Sequence, residues 1–158
     1  MEPERIFLQA LEASAVSVGS ENFMKQTENM IGLCGAEIVG QINPDDKPRI
    51  GLPIELIEDG SSKTRLGAIC VLEDRAILGW AVGTFRIKNF TEVIPLEQVQ
   101  SSEVTVTPGK GLKGREVRVM FEAADRRWTL KVANLGEDVK IEQVAGRLSE
   151  ALTGTGNS

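Results

Sequence analysis

The chain has 158 residues, which is long enough for one well-packed domain and short for two. Its net charge of −5 argues against generic nucleic-acid binding, which favours a basic surface. The sequence contains no histidine, so it lacks the commonest general base and the commonest zinc ligand. We therefore expect a protein that is not an enzyme and that has no catalytic residues, metal site or cofactor.

Two helices are predicted at the start of the chain. Apolar residues recur near helical spacing from Pro3 to Val18, and a proline suits a first helical turn. Ser20 can cap a second helix, which Gly35 can end. That helix carries an apolar stripe that includes Phe23, Met24, Met30 and Ile31. We assign residues 1–35 to an N-terminal helical extension.

Extended segments are predicted after this extension. Ala36–Ile42 has the pattern of a first strand, and the proline-containing loop Asn43–Pro48 follows it. Ile50–Ile57 is extended again, and Pro53 places it at a sheet edge or at a bulge. A turn at Asp59–Ser62 then leads into the next strand.

The stretch Gly67–Trp80 is predicted to be a β-hairpin, because a polar turn at Glu73 to Arg75 separates two short apolar runs. Side chains alternate along a strand, so one face of the second run carries Leu78, Trp80 and Val82. The opposite, outer face carries Ile77, Gly79 and Ala81. Both faces are apolar, which predicts that another element covers the outer one; an ordinary barrel strand with an irregular pattern is the alternative.

The remaining elements are extended pieces at Phe85–Pro95 and Ser102–Thr107, a hairpin with a turn at Ala124–Arg126, and a closing helix. The hairpin alternates apolar and charged residues, and its apolar side is expected to point into one core: Val117, Val119, Phe121, Trp128, Leu130 and Val132. The helix has an apolar stripe at Ile141, Val144, Ala145, Leu148 and Leu152. Residues 153–158 are predicted to be a disordered tail.

This order of elements predicts a mainly β fold with some helix. About seven antiparallel strands without crossover helices favour a small barrel or an orthogonal sandwich. We expect the barrel domain to cover residues 36–152, with the C-terminal amphipathic helix closing its open end and the two N-terminal helices preceding it.

Two segments resemble a known family. Gly67-Ala-Ile-Cys-Val-Leu-Glu-Asp-Arg-Ala-Ile-Leu, and then Val93-Ile-Pro-Leu-Glu-Gln-Val-Gln-Ser-Ser-Glu-Val104, are similar to the central hairpin and the following segment of bacterial pleckstrin-homology-like domains. The resemblance covers roughly Ala36 to Leu152 and implies a pleckstrin-homology-like barrel without shared catalytic residues. The two N-terminal helices and the long insertion at Asn43–Ser62 depart from a minimal domain of that family.

A glycine-rich loop, Gly109 to Gly114, matches the G-x-G-x-x-G pattern. Dinucleotide binding needs such a loop to open a helix, whereas the residues after it have a period of two and predict a strand. The loop is basic, with Lys110, Lys113 and Arg115, and is a candidate site for an anionic lipid headgroup or a small ligand. An exposed turn made soluble by its lysines is the interpretation we favour.

The first residues of the sequence do not resemble a secretory signal, because Glu2 and Glu4 occupy the place of its positive segment. No run approaches the roughly 20 apolar residues that span a bilayer. Cys34 and Cys70 lie in apolar patterns, where a free cysteine packs like a small hydrophobic residue. We expect a soluble cytoplasmic protein with reduced cysteines.

These observations favour a binding or assembly module that acts through protein–protein contacts, with a partner or with a second copy. The candidate interface pairs the second helix (Phe23, Met24, Met30, Ile31) with the outer face of the hairpin (Ile77, Gly79, Ala81), within one chain or between subunits of a homo-oligomer. The alternative is a domain that binds a small ligand or an anionic lipid headgroup, in the barrel interior or at the basic loop. Trp80, Phe121 and Trp128 are large enough to fill that interior instead. We expect no nucleic-acid partner and no stable membrane insertion.

Overall fold

The computed structural model describes residues 2–18, 32, 35–57, 64–83, 85–107, 116–132 and 138–153. Its helices are α1 (Pro3–Val18), the short α2 (Ala36–Val39) and α3 (Asp138–Thr153), and a 3-10 turn lies at Leu96–Gln98. Its strands are β1 (Pro48–Ile57), β2 (Thr64–Leu72), β3 (Arg75–Val82), β4 (Lys88–Pro95), β5 (Val99–Thr107), β6 (Glu116–Ala123) and β7 (Arg126–Val132). The predicted mainly β fold with some helix is confirmed.

The seven strands form one antiparallel sheet in the order β4-β3-β2-β1-β7-β6-β5. The edges of this sheet are β4 and β5, which follow each other in the chain with only the Leu96–Gln98 turn between them. Within the described part of the chain no ladder joins β4 to β5. The closed barrel therefore stays a prediction, as do the domain boundaries at residues 35 and 152.

The predicted first strand, Ala36–Ile42, is wrong: its first residues form helix α2. The Gly40 N–H donates to the Ala36 carbonyl (3.0 Å), and the next two amides bond back to Ile38 and Val39. Ile38 and Ile42 are both buried. Their spacing of four fits one side of a helix as well as one face of a strand, so the pattern did not separate the two.

Pro53 occupies a place in β1 that tolerates a missing N–H. β1 pairs with β2 along its length, but its ladder with β7 runs only from Ile54 to Ile57. The predicted sheet edge or bulge at Pro53 is wrong, because β1 is an interior strand and the irregularity in its ladder lies between Pro48 and Ile50. Pro53 itself has a partner strand on one side only. Proline avoids positions where both sides need a donor, which explains this location.

The inner face of the sheet holds the main core. The six residues predicted to share this face, Val117, Val119, Phe121, Trp128, Leu130 and Val132, are all buried in one cluster. Helix α3 closes over them, and its five stripe residues are fully buried in the same cluster. Two bonds fix the helix: the Ser102 and Ser149 hydroxyls lie 2.6 Å apart, and Arg49 donates to the Ala151 carbonyl (3.3 Å). Thr153, assigned to the tail by the sequence, is the last residue of the helix.

The outer face of the β2–β3 hairpin is covered within the chain. Helix α1 has the predicted bounds, and its residues Ile6, Phe7, Ala10 and Leu11 form a second buried cluster with hairpin residues and with Ile38 and Ile42. The helix passes so close to β1 that a Cβ on Gly51 would lie 3.1 Å from the Ala10 Cβ. In the same cluster, burial raises the pKa of the Cys70 thiol to about 12, so this cysteine packs as an unreactive apolar side chain.

Candidate functional site

Strand β4 presents a regular, unpaired edge. It pairs with β3 in eight consecutive residue pairs, from Arg75 opposite Pro95 to Val82 opposite Lys88, without a register shift. β3 is its single neighbour in the sheet described here. A free edge carries a row of backbone N–H and C=O groups that can accept another strand, and natural proteins usually blunt it with bulges, prolines or covering elements. The eight regular pairs leave β4 without a bulge.

Large apolar side chains are exposed along β4 and the residues just before it. They are Phe85, Ile87, Phe90 and Val93. Phe85 is fully exposed, and Phe90 is 45% exposed. Single exposed apolar residues are common on protein surfaces, but several along one strand edge mark a contact site.

A row of aromatic rings leads from this edge into the core. The Phe90 ring stacks on Trp80 with centroids 5.8 Å apart, and Trp80 meets Trp128 edge-on at 6.3 Å. Trp128 in turn stacks on Phe121 at 6.2 Å, and Arg126 lies over the Trp128 ring at 3.8 Å. Exposure falls from 45% at Phe90 to 3% at Trp128. The row fills this part of the interior with side chains and anchors the edge strand to the core.

Gly67 makes room for this row. It lies opposite Trp80 in the β2–β3 ladder. A Cβ at this position would lie only 2.1 Å from the Gly79 carbonyl oxygen and 3.0 Å from the Trp80 Cβ. Any side chain at this position would therefore force the hairpin apart and move Trp80.

An ion-pair cluster holds the turn between β2 and β3, next to the far end of β4. Arg75 donates from Nη1 to an Asp46 carboxylate oxygen (3.0 Å) and from Nη2 to the other oxygen and to the Gln41 carbonyl (2.8 Å). The hydrogen bond from Arg75 lowers the pKa of Asp46. The Asp74 carbonyl accepts a bond from the Leu96 N–H (2.9 Å), which ties the turn to the residue after β4. Sequence reasoning took Asp46 and Asp74 as turn formers and missed this cluster.

The site residues named from the sequence fall into three groups. Ile77 and Gly79 are buried and Ala81 is half-buried, and Ile77 belongs to the cluster that also contains residues of α1 and α2. The other half of that interface, Phe23, Met24, Met30 and Ile31, lies outside the described residues. So does the basic loop with Lys110, Lys113 and Arg115. The sequence did not single out β4, because being an edge strand is a property of the whole sheet.

Among the helices that the structure describes, none has the length and apolarity needed to cross a membrane. The described residues also include no group of three or more acidic or cysteine side chains placed to hold a metal ion.

The hSac2 domain from the human phosphoinositide phosphatase Sac2 has a similar structure. The two chains superpose with a TM-score of 0.53 at 11% sequence identity, over 88% of this chain and 86% of that one. The fold is pleckstrin-homology-like. This agrees with the fold implied by the sequence resemblance, while at this identity the likeness concerns the fold alone. The C-terminal domain of an unknown protein from Leishmania infantum aligns over 79% of this chain and 93% of that one, at 11% identity and a TM-score of 0.37. No protein-family model matches this pleckstrin-homology-like chain, and no curated protein matches it.

Proposed function

We propose that this protein is a non-catalytic binding and assembly module that works through protein–protein contacts, and that it associates with itself. The β4 edge is the surface that makes these contacts. The proposal includes the cytoplasmic location expected from the sequence and agrees with the resemblance to bacterial pleckstrin-homology-like domains. Such domains use one scaffold for many different sites, so the function of this chain depends on its own surface and not on the fold.

The observation that carries the proposal is the combination of a regular free edge with exposed apolar side chains. An extended segment added to β4 would satisfy its free backbone groups, while Ile87, Phe90 and Val93 would contact side chains of the added strand. The aromatic row supports this, because a strand anchored by Phe90 on Trp80 is held ready for binding and loses little freedom on association.

The filled interior supports protein contact over the alternative of a small ligand held inside the sheet. Phe121 and Trp128 are buried and stacked on each other, and Trp80 contacts Trp128 edge-on. A ligand in this part of the interior would have to displace one of these rings. The edge of β4, in contrast, can bind without any rearrangement of the core.

Site-specific photo-crosslinking tests the proposal. A photo-crosslinking phenylalanine analogue at Ile87, which is 52% exposed, is expected to form adducts with protein in living cells. The same analogue at Leu8, which is 44% exposed on α1, is the matched control and is expected to give few adducts. Equal yields at the two positions would contradict the proposal. So would native mass spectrometry of the purified protein that shows a retained small molecule together with no protein adduct at residue 87.

A further inference from the structure

We propose that the partner of β4 is β4 of a second copy. The two strands pair antiparallel about a two-fold axis that passes between Phe90 of one copy and Phe90 of the other. This inference depends on the proposed function and specifies the partner and the register. The result would be one continuous sheet that runs through both copies.

Symmetry restricts the registers that such a pair can adopt. Two antiparallel strands related by a two-fold axis have that axis perpendicular to the sheet, so the inner faces of both copies lie on the same side. Directly opposite residues then belong to the same face, and the axis passes between the two copies of one central residue, which lie opposite each other. The choice of register is therefore a choice of this central residue.

With Phe90 at the centre, the residues of β4 complement each other. Phe90 lies opposite Phe90 of the second copy, and Lys88 lies opposite Glu92. Asn89 lies opposite Thr91 on the other face, and Ile87 opposite Val93. Each charge thus lies opposite the opposite charge, each polar residue opposite a polar one, and each apolar residue opposite an apolar one. Every pair except Phe90 with Phe90 occurs twice, because of the symmetry.

Neither charge has such a partner among the described residues. Across the β3–β4 ladder, Lys88 lies opposite Val82 and Glu92 lies opposite Leu78. No ion pair among the described residues includes either of them, and both are exposed. They are four residues apart on one strand, which is roughly 14 Å and beyond the screening length at physiological salt. Within the described part of the chain the two charges are thus too far apart to attract each other, and a second chain can bring them together.

Neighbouring registers are less favourable. A centre at Thr91 puts Glu92 opposite Phe90 and Lys88 opposite Ile94, so both charges meet apolar residues. A centre at Asn89 puts Glu92 opposite Arg86, but Lys88 then lies opposite the apolar Phe90. Only the register about Phe90 pairs every charge within β4.

The paired segment, residues 87–93, is roughly 24 Å long at the rise of a strand. The surface area that a segment of this length buries is smaller than in stable complexes, which bury at least about 1,200 Å² in total. We therefore expect a dimer that forms and dissociates with concentration in the micromolar range, and not a permanent one.

Charge exchange on the full-length chain tests the register, with sedimentation velocity over a concentration series as the measurement. Lys88→Glu places Glu opposite Glu92 twice, and Glu92→Lys places Lys opposite Lys88 twice. Each single variant is expected to raise the dimer dissociation constant about tenfold, because two favourable pairs become two repulsive ones. The double variant Lys88→Glu/Glu92→Lys restores opposite charges and is expected to dimerise like the wild type.

The matched control is Glu103→Lys, which makes the same change of charge on the other edge strand, β5, and is expected to leave dimerisation unchanged. All three substituted positions are exposed, and thermal unfolding checks that each of the four variants folds. If the wild type dimerises and every variant has the same dimer dissociation constant, the register is overturned but self-association still holds. A wild type that stays monomeric over the whole concentration range would overturn the inference. Adducts of residue 87 with a different protein would then still support protein–protein contact at β4 but not self-association, whereas their absence would contradict the whole proposed function.

Discussion

The two edges of the sheet are built differently. At β5 the pairing with β6 has a register irregularity between Val99 and Ser101, and helix α3 packs along the strand with a hydrogen bond between Ser102 and Ser149. Glu103 is the only charged residue of β5, so no register of this strand against itself can pair opposite charges. β4 pairs regularly with β3 and carries a lysine and a glutamate placed symmetrically about Phe90.

This difference indicates that the two edges serve different purposes. Bulges and covering helices are the devices by which proteins prevent strand addition at an edge. β5 has both, and the contacts of α3 with it stabilise the fold. β4 lacks the bulge, and although α2 contacts it, apolar side chains remain exposed along it, so β4 is the edge that remains available to a partner.

Truncating one buried and one exposed member of the ring row separates these purposes most strongly. Trp128→Ala is expected to reduce the free energy of unfolding by about 3–5 kcal/mol, because Trp128 is buried between Phe121 and Trp80. Phe90→Ala should cost only about 1 kcal/mol, since Phe90 is half-exposed and loses mainly its stacking on Trp80. Chemical denaturation measures both values. Equal losses for the two variants would mean that β4 belongs to the stabilising core in the same way as β7.

The packing that holds the β4 half of the sheet in shape is tested by Gly67→Ala. The added Cβ would clash with the Gly79 carbonyl oxygen at 2.1 Å, so the hairpin must deform, and we expect a loss of about 3 kcal/mol. Gly146→Ala in α3 is the control, because nothing lies within 4 Å of its added Cβ and alanine favours the helix by about 1 kcal/mol. A neutral Gly67→Ala, measured by thermal unfolding, would show that the Trp80 position does not depend on this glycine.

Acid titration compares the ion pairs at the two ends of the sheet. The pKa of Asp46 is lowered from its ordinary value of 3.8 by the hydrogen bond from Arg75, and that of Glu116 is lowered from 4.5 by the hydrogen bond from Arg118. A carboxyl with a lowered pKa stabilises the fold above its ordinary pKa, and this stabilisation is lost as the pH falls through the lowered value.

Asp46→Asn is therefore expected to cost about 2 kcal/mol at pH 7 and almost nothing well below pH 4. Glu116→Gln should cost less, because its partners Arg118 and Lys131 are more exposed than Arg75. Unfolding by urea at several pH values measures both differences. A deficit of Asp46→Asn that persists unchanged at low pH would show that the charge of Asp46 is not what stabilises the β2–β3 turn.

The smallest expected effect concerns the turn between β6 and β7. Ala124 and Asp125 both have positive φ angles, 52° and 63°, which non-glycine residues adopt at a cost. Asn-Gly is the preferred pair for such a two-residue hairpin turn. The double variant Ala124→Asn/Asp125→Gly should therefore stabilise the protein by about 1 kcal/mol without changing its association. A change in dimerisation would show that the β5–β7 half takes part in the contact.

Short-range patterns predicted the parts of the fold that they determine directly. The bounds of α1, the alternation of β6 and β7 and the stripe of α3 follow from periodicities within one element, and the structure confirms them. The segment Ala36–Ile42 failed because its two isoleucines, four residues apart, fit either period.

The candidate site depends on long-range order, which these patterns do not contain. Asp46 and Arg75 meet across 29 residues of sequence, and nothing in their local surroundings pairs them. The segment Phe85–Pro95 was predicted to be extended, but its place at the edge follows only from the order of all seven strands. The symmetry of Lys88 and Glu92 about Phe90 is visible in the sequence, yet it has a meaning only once β4 is known to be an edge.

Hydrogen exchange of the full-length protein at low and high concentration tests the different purposes of the two edges most directly. If β4 pairs with a second copy, those amides within residues 87–93 that point away from β3 become hydrogen-bonded in the dimer. Their exchange is expected to slow as the concentration rises, while the amides of residues 99–107 in β5 exchange at an unchanged rate. Exchange in β4 that does not respond to concentration, or protection that develops in β5 instead, would contradict the account.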